Sequence, residues 1–166
     1  MDQRVRIAHH AVRRGSGRLV TVGLGSCVAI ALHDALARVG GLAHVLLPQV
    51  LGEQSEPNRA KFASTAVPLL IEEMRALGAS GPFVAKLAGG ASLFGPLLAM
   101  GGTVGARNIE AARAALQDAR GPLIGEAFGG GAVRPVTRTA EGRGGDGGRY
   151  RWDPCQAKKA IKQPVC

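Results

Sequence analysis

Aromatic side chains are almost missing from this 166-residue chain, which has four Phe, one Tyr and one Trp, 4% of the total. Its core must therefore be built from Val, Leu, Ile and Ala. Cysteine is scarce as well. The three present, Cys27, Cys155 and Cys166, are far apart, odd in number and in no Cys-x-x-Cys arrangement, which argues against a disulfide framework or a structural zinc site. No apolar run approaches the roughly 18 residues of a membrane-spanning helix, so no membrane insertion is expected. The start, Met1-Asp2-Gln3-Arg4-Val5-Arg6, lacks the charged-then-apolar layout of a signal peptide. A reduced, cytoplasmic protein is the expectation. Phosphate loops are absent too: Gly89-Gly90 and Gly101-Gly102 have neither the Gly-x-x-x-x-Gly-Lys-Ser/Thr layout nor a dinucleotide fingerprint, and read as turns. No cofactor and no metal are expected.

Positive charge is in excess, at a formal +9. Seven Lys or Arg stand against three acids from Arg138 to Cys166, so +4 of the total lies at that end. The remaining arginines (Arg13, Arg38, Arg59, Arg75 and Arg107 among them) are scattered, with no basic helix and no interleaved aromatics. That distribution is a solvated basic surface rather than a nucleic-acid footprint.

With 46% hydrophobic residues and near-typical domain length, the chain can bury one core. Its first part reads as strands: Val5–His9, Leu19–Leu24, Val28–Leu32 and Leu42–Leu46. Breaks are expected at Arg14-Gly15-Ser16-Gly17, Gly25-Ser26, His33-Asp34 and Gly40-Gly41. Phe62, Ala66, Leu69, Leu70, Met74 and Leu77 recur on one helical face ending at Gly78, with Pro68 leaving two pieces or one bent rod. Phe83–Leu87 is a strand, Asn108 caps a second helix with Ile109, Ala112, Ala115 and Leu116 on its apolar face, and Pro122–Phe128 is the last core strand. Eight of the 21 residues from Gly129 to Arg149 are glycine. Such a tail buries too little to offset its ordering entropy. Tyr150 and Trp152 dock back on the body or stay exposed.

Thr21-Val22-Gly23-Leu24-Gly25-Ser26-Cys27 puts a cysteine at a glycine-flanked corner between two strand-like runs, and His44 lies on the next run. A thiol beside an imidazole is the minimum equipment for acyl transfer, because the ring takes the thiol proton and later delivers one to the leaving group. If the second pair of strands closes over a loop of His33–Arg38, Leu32 faces Val39 and Cys27 arrives opposite His44. Directly opposed residues have Cβ atoms about 4.5–5.5 Å apart. A one-residue slip would destroy the pairing. By composition alone Cys27 reads first as a small buried hydrophobe, and His44 first as a hydrogen-bonded core histidine rather than a base. Ser26 is a weaker nucleophile candidate, needing more activation. His9, His10 and His33 read as surface or turn residues, and nothing near Cys155 or Cys166 orients them.

Leu24-Gly25-Ser26-Cys27-Val28-Ala29 and Gly41-Leu42-Ala43-His44-Val45-Leu46-Leu47-Pro48 resemble the signature blocks of the CheD chemoreceptor glutamine deamidases. The likeness continues through Lys61-Phe62-Ala63, Pro68-Leu69-Leu70-Ile71, Lys86-Leu87-Ala88-Gly89-Gly90-Ala91 and Gly105-Ala106-Arg107-Asn108-Ile109 to Gly129-Gly130. It implies an α/β fold, a layered sandwich of mixed sheets with two main helices, shared with certain toxin deamidases. It implies an enzyme that converts receptor glutamines to glutamates, with Cys27, His44 and Thr21 as its catalytic residues. Backbone N–H groups around Gly25, Ser26 and Cys27 would hold the oxyanion, and Thr21 would orient His44 or help bind the amide. The implied partners are chemotaxis receptors and CheC, and the chain is expected to be a monomer. Relatives carry an acid at Ala106, an Asp at Ala127 and a glycine near Val133. Residues 1–136 are thus expected to form the deamidase domain, and 137–166 a divergent, flexible basic tail. The alternative is a chemotaxis adaptor whose catalysis is weak or lost.

Overall fold

The computed structural model describes residues 2–50, 57–91, 102–121, 123–128 and 134–140. In chain order its elements are β1 (Asp2–Arg4), β2 (His10–Arg14), β3 (Gly17–Leu24), β4 (Val28–Asp34), β5 (Val39–Val45), a 3-10 turn at Arg59–Lys61, α1 (Ala63–Ala76), β6 (Val84–Gly89), α2 (Val104–Asp118), β7 (Leu123–Phe128) and β8 (Arg134–Ala140). Five strands form one sheet in the order β2-β5-β4-β6-β7, parallel only between β6 and β7. The others form a second sheet, β1-β3-β8, in which β1 runs parallel to β3 and β8 antiparallel to it.

β4 and β5 are buried along nearly their whole length, because both faces of the central sheet are covered. Successive side chains of a strand point to opposite faces. Val28, Ile30 and Leu32 of β4, with Val39, Ala43 and Val45 of β5, meet Ala66, Val67, Leu70, Met74, Ala112 and Leu116 of the helices. Cys27, Ala29 and Leu42 face the other way and pack with Val5, Ala11, Leu19, Leu24 and Ala88. The molecule is therefore three layers, helices over a central sheet over a small sheet, with a core in each gap. Each large apolar side chain fully buried there contributes about 1.5–3 kcal/mol.

Several expectations are corrected. Val5–His9 is not a strand: it is the crossing from the small sheet to the central one, broken by Ala8 at φ 60°. Gly40-Gly41 is not a break but lies within β5. A Cβ on Gly41 would stand 2.9 Å from Leu70 Cδ2 and 3.2 Å from Met74 Sδ, so the glycine is what lets α1 seat. The register also differs: Asp34 pairs with Val39, Val28 with Val45, and Ala29, not Cys27, with His44. The turn is shorter than expected because Asp34 Oδ1 accepts from Ala37 N–H at 2.9 Å and tightens it.

The first helix is one piece. Pro68 sits on its exposed side. Gly78 ends it at φ 89°, with Gly78 N–H donating to Arg75 O and Ala79 N–H to Met74 O, a Schellman closure. The second helix starts earlier than expected: Thr103 is its N-cap, accepting from Ala106 N–H at 3.2 Å, and Asn108 is buried inside it. Leu123–Phe128 is a strand but not the last, since β8 follows and carries pairing past the boundary expected at 136. The loose tail expected beyond it lies, past Ala140, outside the described residues, as do Cys155, Cys166, Tyr150 and Trp152.

Candidate active site

The gap between the two sheets holds the three side chains expected to be catalytic, Thr21, Cys27 and His44. On β3, alternation buries Leu19 and Thr21. A register shift after Thr21, with Gly23 at φ 81°, carries the chain to the Gly25-Ser26-Cys27 corner. On β5, Ala43 and Val45 point to the helices, which turns His44 toward the small sheet. The misjudged register is off by two, an even number, so it preserves faces. Extending β4 by one residue makes Cys27 the diagonal neighbour of His44, about 7–8 Å away between Cα atoms, within reach of long side chains.

Thr21 and His44 are both fully buried and directly joined, with Thr21 Oγ1 2.7 Å from His44 Nδ1. The same oxygen donates to Val5 O at 2.8 Å. A hydroxyl has one hydrogen, and a carbonyl can only accept. The Thr21 proton is committed to Val5, so Nδ1 must carry a hydrogen and donate it to Oγ1. Nε2 is then the bare nitrogen, and it has no hydrogen-bond partner among the described residues. Around this pair the crossing segment is laced down: Val5 N–H donates to Val20 O (2.8 Å), Ala8 N–H to His44 O (2.8 Å) and His44 N–H to His9 O (3.0 Å). Asn58 Nδ2 holds Ala8 O at 2.9 Å.

Burial lowers the His44 pKa to about 4, since desolvation disfavours the imidazolium. Burial likewise raises the Cys27 thiol above its ordinary value, opposed by the residue's own backbone N–H. Both groups are neutral at pH 7.

The cysteine corner is fastened by its carbonyls. Gly25 O accepts from Ala91 N–H at 2.8 Å, Ser26 O from Asn108 Nδ2 at 2.9 Å, and Cys27 O from Gly90 N–H at 2.8 Å. Gly89 at φ 104° has no room for a side chain, since its Cβ would collide with Cys27 O. Across a trans peptide the N–H points opposite the preceding C=O. With the Gly25 and Ser26 carbonyls drawn inward, the N–H groups of Ser26 and Cys27 turn the other way.

Thr21 and His44 are thus in contact, Cys27 shares their gap, and Gly25 and Ser26 form its approach. Asn108, expected as a helix cap, instead reaches the cysteine corner. The signal was its spacing: Gly105, Asn108, Ala112 and Leu116 are the buried residues of α2, and a polar side chain on that stripe needs a partner inside the protein. His10 has a partner, Glu73 of α1, at 2.8 Å, and His33 is buried in β4 rather than in a turn. His9 Nδ1 lies 2.9 Å from Ile7 O at the surface. Among the described residues no three His, Cys, Asp or Glu side chains converge as metal ligands, and no helix is long and apolar enough to cross a membrane.

A family model described as "CheD chemotactic sensory transduction" matches residues 46–143. The match includes Asn108 and begins just after His44. Among curated proteins, the chain is 42% identical over 142 residues to "Chemoreceptor glutamine deamidase CheD" of Thermotoga maritima, covering 85% of this chain and 87% of that protein. It is 46% identical over 132 residues to "Probable chemoreceptor glutamine deamidase CheD" of Moorella thermoacetica, covering 78% and 79%. A Geobacter metallireducens protein of similar name, "Probable chemoreceptor glutamine deamidase CheD 2", is 48% identical over 129 residues, covering 76% and 80%.

Proposed function

This chain belongs to the CheD family, and on that footing we propose that it deamidates chemoreceptor glutamines with Cys27 as nucleophile, His44 as base and acid, and Thr21 orienting His44. One observation carries the assignment of roles: the Thr21 hydroxyl, spent on Val5, obliges Nδ1 of His44 to donate and leaves Nε2 as the acceptor.

In the resting enzyme both partners are uncharged. As Sγ of Cys27 attacks the carboxamide carbon, Nε2 takes the thiol proton, so no free thiolate has to survive in the buried gap. The oxygen of the tetrahedral intermediate gains the negative charge, and the N–H groups at Ser26 and Cys27 are its donors. The imidazolium returns its proton to the nitrogen, the C–N bond breaks, and ammonia leaves behind a thioester. Water, deprotonated by the same Nε2, attacks the thioester. The C–S bond breaks, the thiol regains its proton, and glutamate is released. Ammonia does not leave without that proton, so His44→Ala has no efficient path to product.

The receptor is the substrate partner in this reading. CheC is a second partner carried over from the family, and the enzyme acts as a monomer in the cytoplasm. The deamidase unit is proposed for residues 1–136, with the rest of β8, to Ala140, added to it.

Incubation of the protein with a receptor cytoplasmic fragment, read by mass spectrometry, tests this. We expect a gain of about one mass unit per converted glutamine, lost with Cys27→Ala. Binding without a mass shift would instead make the chain an adaptor.

A further inference from the structure

We propose that Asn108 is a positioning residue for the cysteine corner: its Nδ2 donates to the carbonyls of Ser26 and Leu46 and thereby sets the plane of the Ser26–Cys27 peptide. The inference rests on the reading of Cys27 as the nucleophile.

Asn108 is fully buried on the inner stripe of α2. Its two amide hydrogens are both spent, one on Ser26 O at 2.9 Å and one on Leu46 O at 3.1 Å. Its own oxygen, Oδ1, is buried with no partner among the described residues. An unpaired buried oxygen costs stability, so the amide is a poor choice for a merely structural position. What it supplies is a two-pronged donor between the strand end that follows His44 and the corner that carries Cys27.

The peptide joining Ser26 to Cys27 is planar. A fixed Ser26 carbonyl therefore fixes the Cys27 N–H, the group that opposes burial in lowering the thiol pKa and that is proposed above as an oxyanion donor. Leu46 lies just beyond His44 on the same run, so one side chain references the nucleophile's backbone to the base's strand. The helix is close enough for this only because Gly105 has no side chain: a Cβ there would stand 2.6 Å from Gly90 O. No similar residue repeats the arrangement. Aspartate presents oxygen to two carbonyls, glutamine is a methylene too long, and leucine has the volume without the donors.

The test compares wild type with Asn108→Ala and Asn108→Leu, the latter filling the site should the alanine variant fail to fold. Two quantities are measured on folded protein: kcat and KM for a receptor fragment, and the pH dependence of iodoacetamide alkylation at Cys27, followed on the Cys27 peptide by mass mapping. We expect kcat to fall about tenfold to a hundredfold with KM little changed, and the alkylation profile to shift to higher pH as the N–H loses its aim on sulfur. An unaltered alkylation profile with kcat within about twofold of wild type overturns the proposal. So does a loss of activity expressed only in KM. If wild type fails to deamidate the fragment while the variants still shift the alkylation profile, the deamidase reading falls and the positioning role stands.

Discussion

Replacing Thr21 by valine keeps the shape of the side chain and removes the oxygen that His44 Nδ1–H donates to. The ring then loses its reason to keep the proton on Nδ1, and Val5 O and Nδ1 are left unpaired in a buried gap. We expect kcat for deamidation to fall about tenfold to a hundredfold, less than the 10²–10⁴ attached to losing a general base outright. Stability should fall by about 1–3 kcal/mol. Steady-state kinetics alongside urea titration checks both. Cys27 and His44 were legible in the sequence because glycines flank one and an apolar run holds the other. Thr21 was legible only through the family resemblance, because its partners come from β5 and from the crossing segment, and no local spacing records a contact between sheets.

Elements were readable where periodicity was strong and misread where a side chain overrode local pattern. Asp34 is the example for the hairpin. Its carboxylate ties the turn through Ala37 and reaches Ser80 N–H (2.9 Å) and Gly81 N–H (2.8 Å) at the start of β6's approach, which sets a register that counting turn residues does not predict. Burial raises its pKa, but these donors outweigh that, and the group titrates below the ordinary range. For α2, Asn108 resembled a cap because asparagine so often is one; the helix instead begins at Thr103 and uses the amide for a tertiary bridge. The true cap is half complete. Thr103 serves Ala106 N–H, yet no acid occupies the first turn, and Ala106 is the third helical position, where glutamate completes a capping box. Ala106→Glu should raise stability by about 0.5 kcal/mol, an increase in Tm of about 1–2 °C by calorimetry. The missing acid at this position thus has a local cost that can be restored without touching the gap between the sheets.

At the scale of the molecule, the near-continuous apolar character of β4 and β5 announces burial on both faces, and so a layer on each side. The helical layer was evident from periodicity. The small sheet was not, because β1 is three exposed polar residues and β8 comes from a glycine- and arginine-rich stretch. The layering makes stability sensitive to acid. His44 titrates near 4 when folded and near 6.5 when unfolded, so the unfolded chain takes up the proton first. The contribution is complete above about pH 6.5 and is lost as pH falls toward 4, the loss by pH 5 being at most about 2 kcal/mol. The drop in urea midpoint from pH 7 to pH 5 should therefore be smaller in His44→Gln, where the carboxylates titrate as before. The contact behind this, Thr21 on β3 with His44 on β5, is a fastening between layers. On the roles proposed above it is also the setting of the base, so a copy whose sheets began to part would lose activity along with its packing: the proposed chemistry would then report on the integrity of the fold.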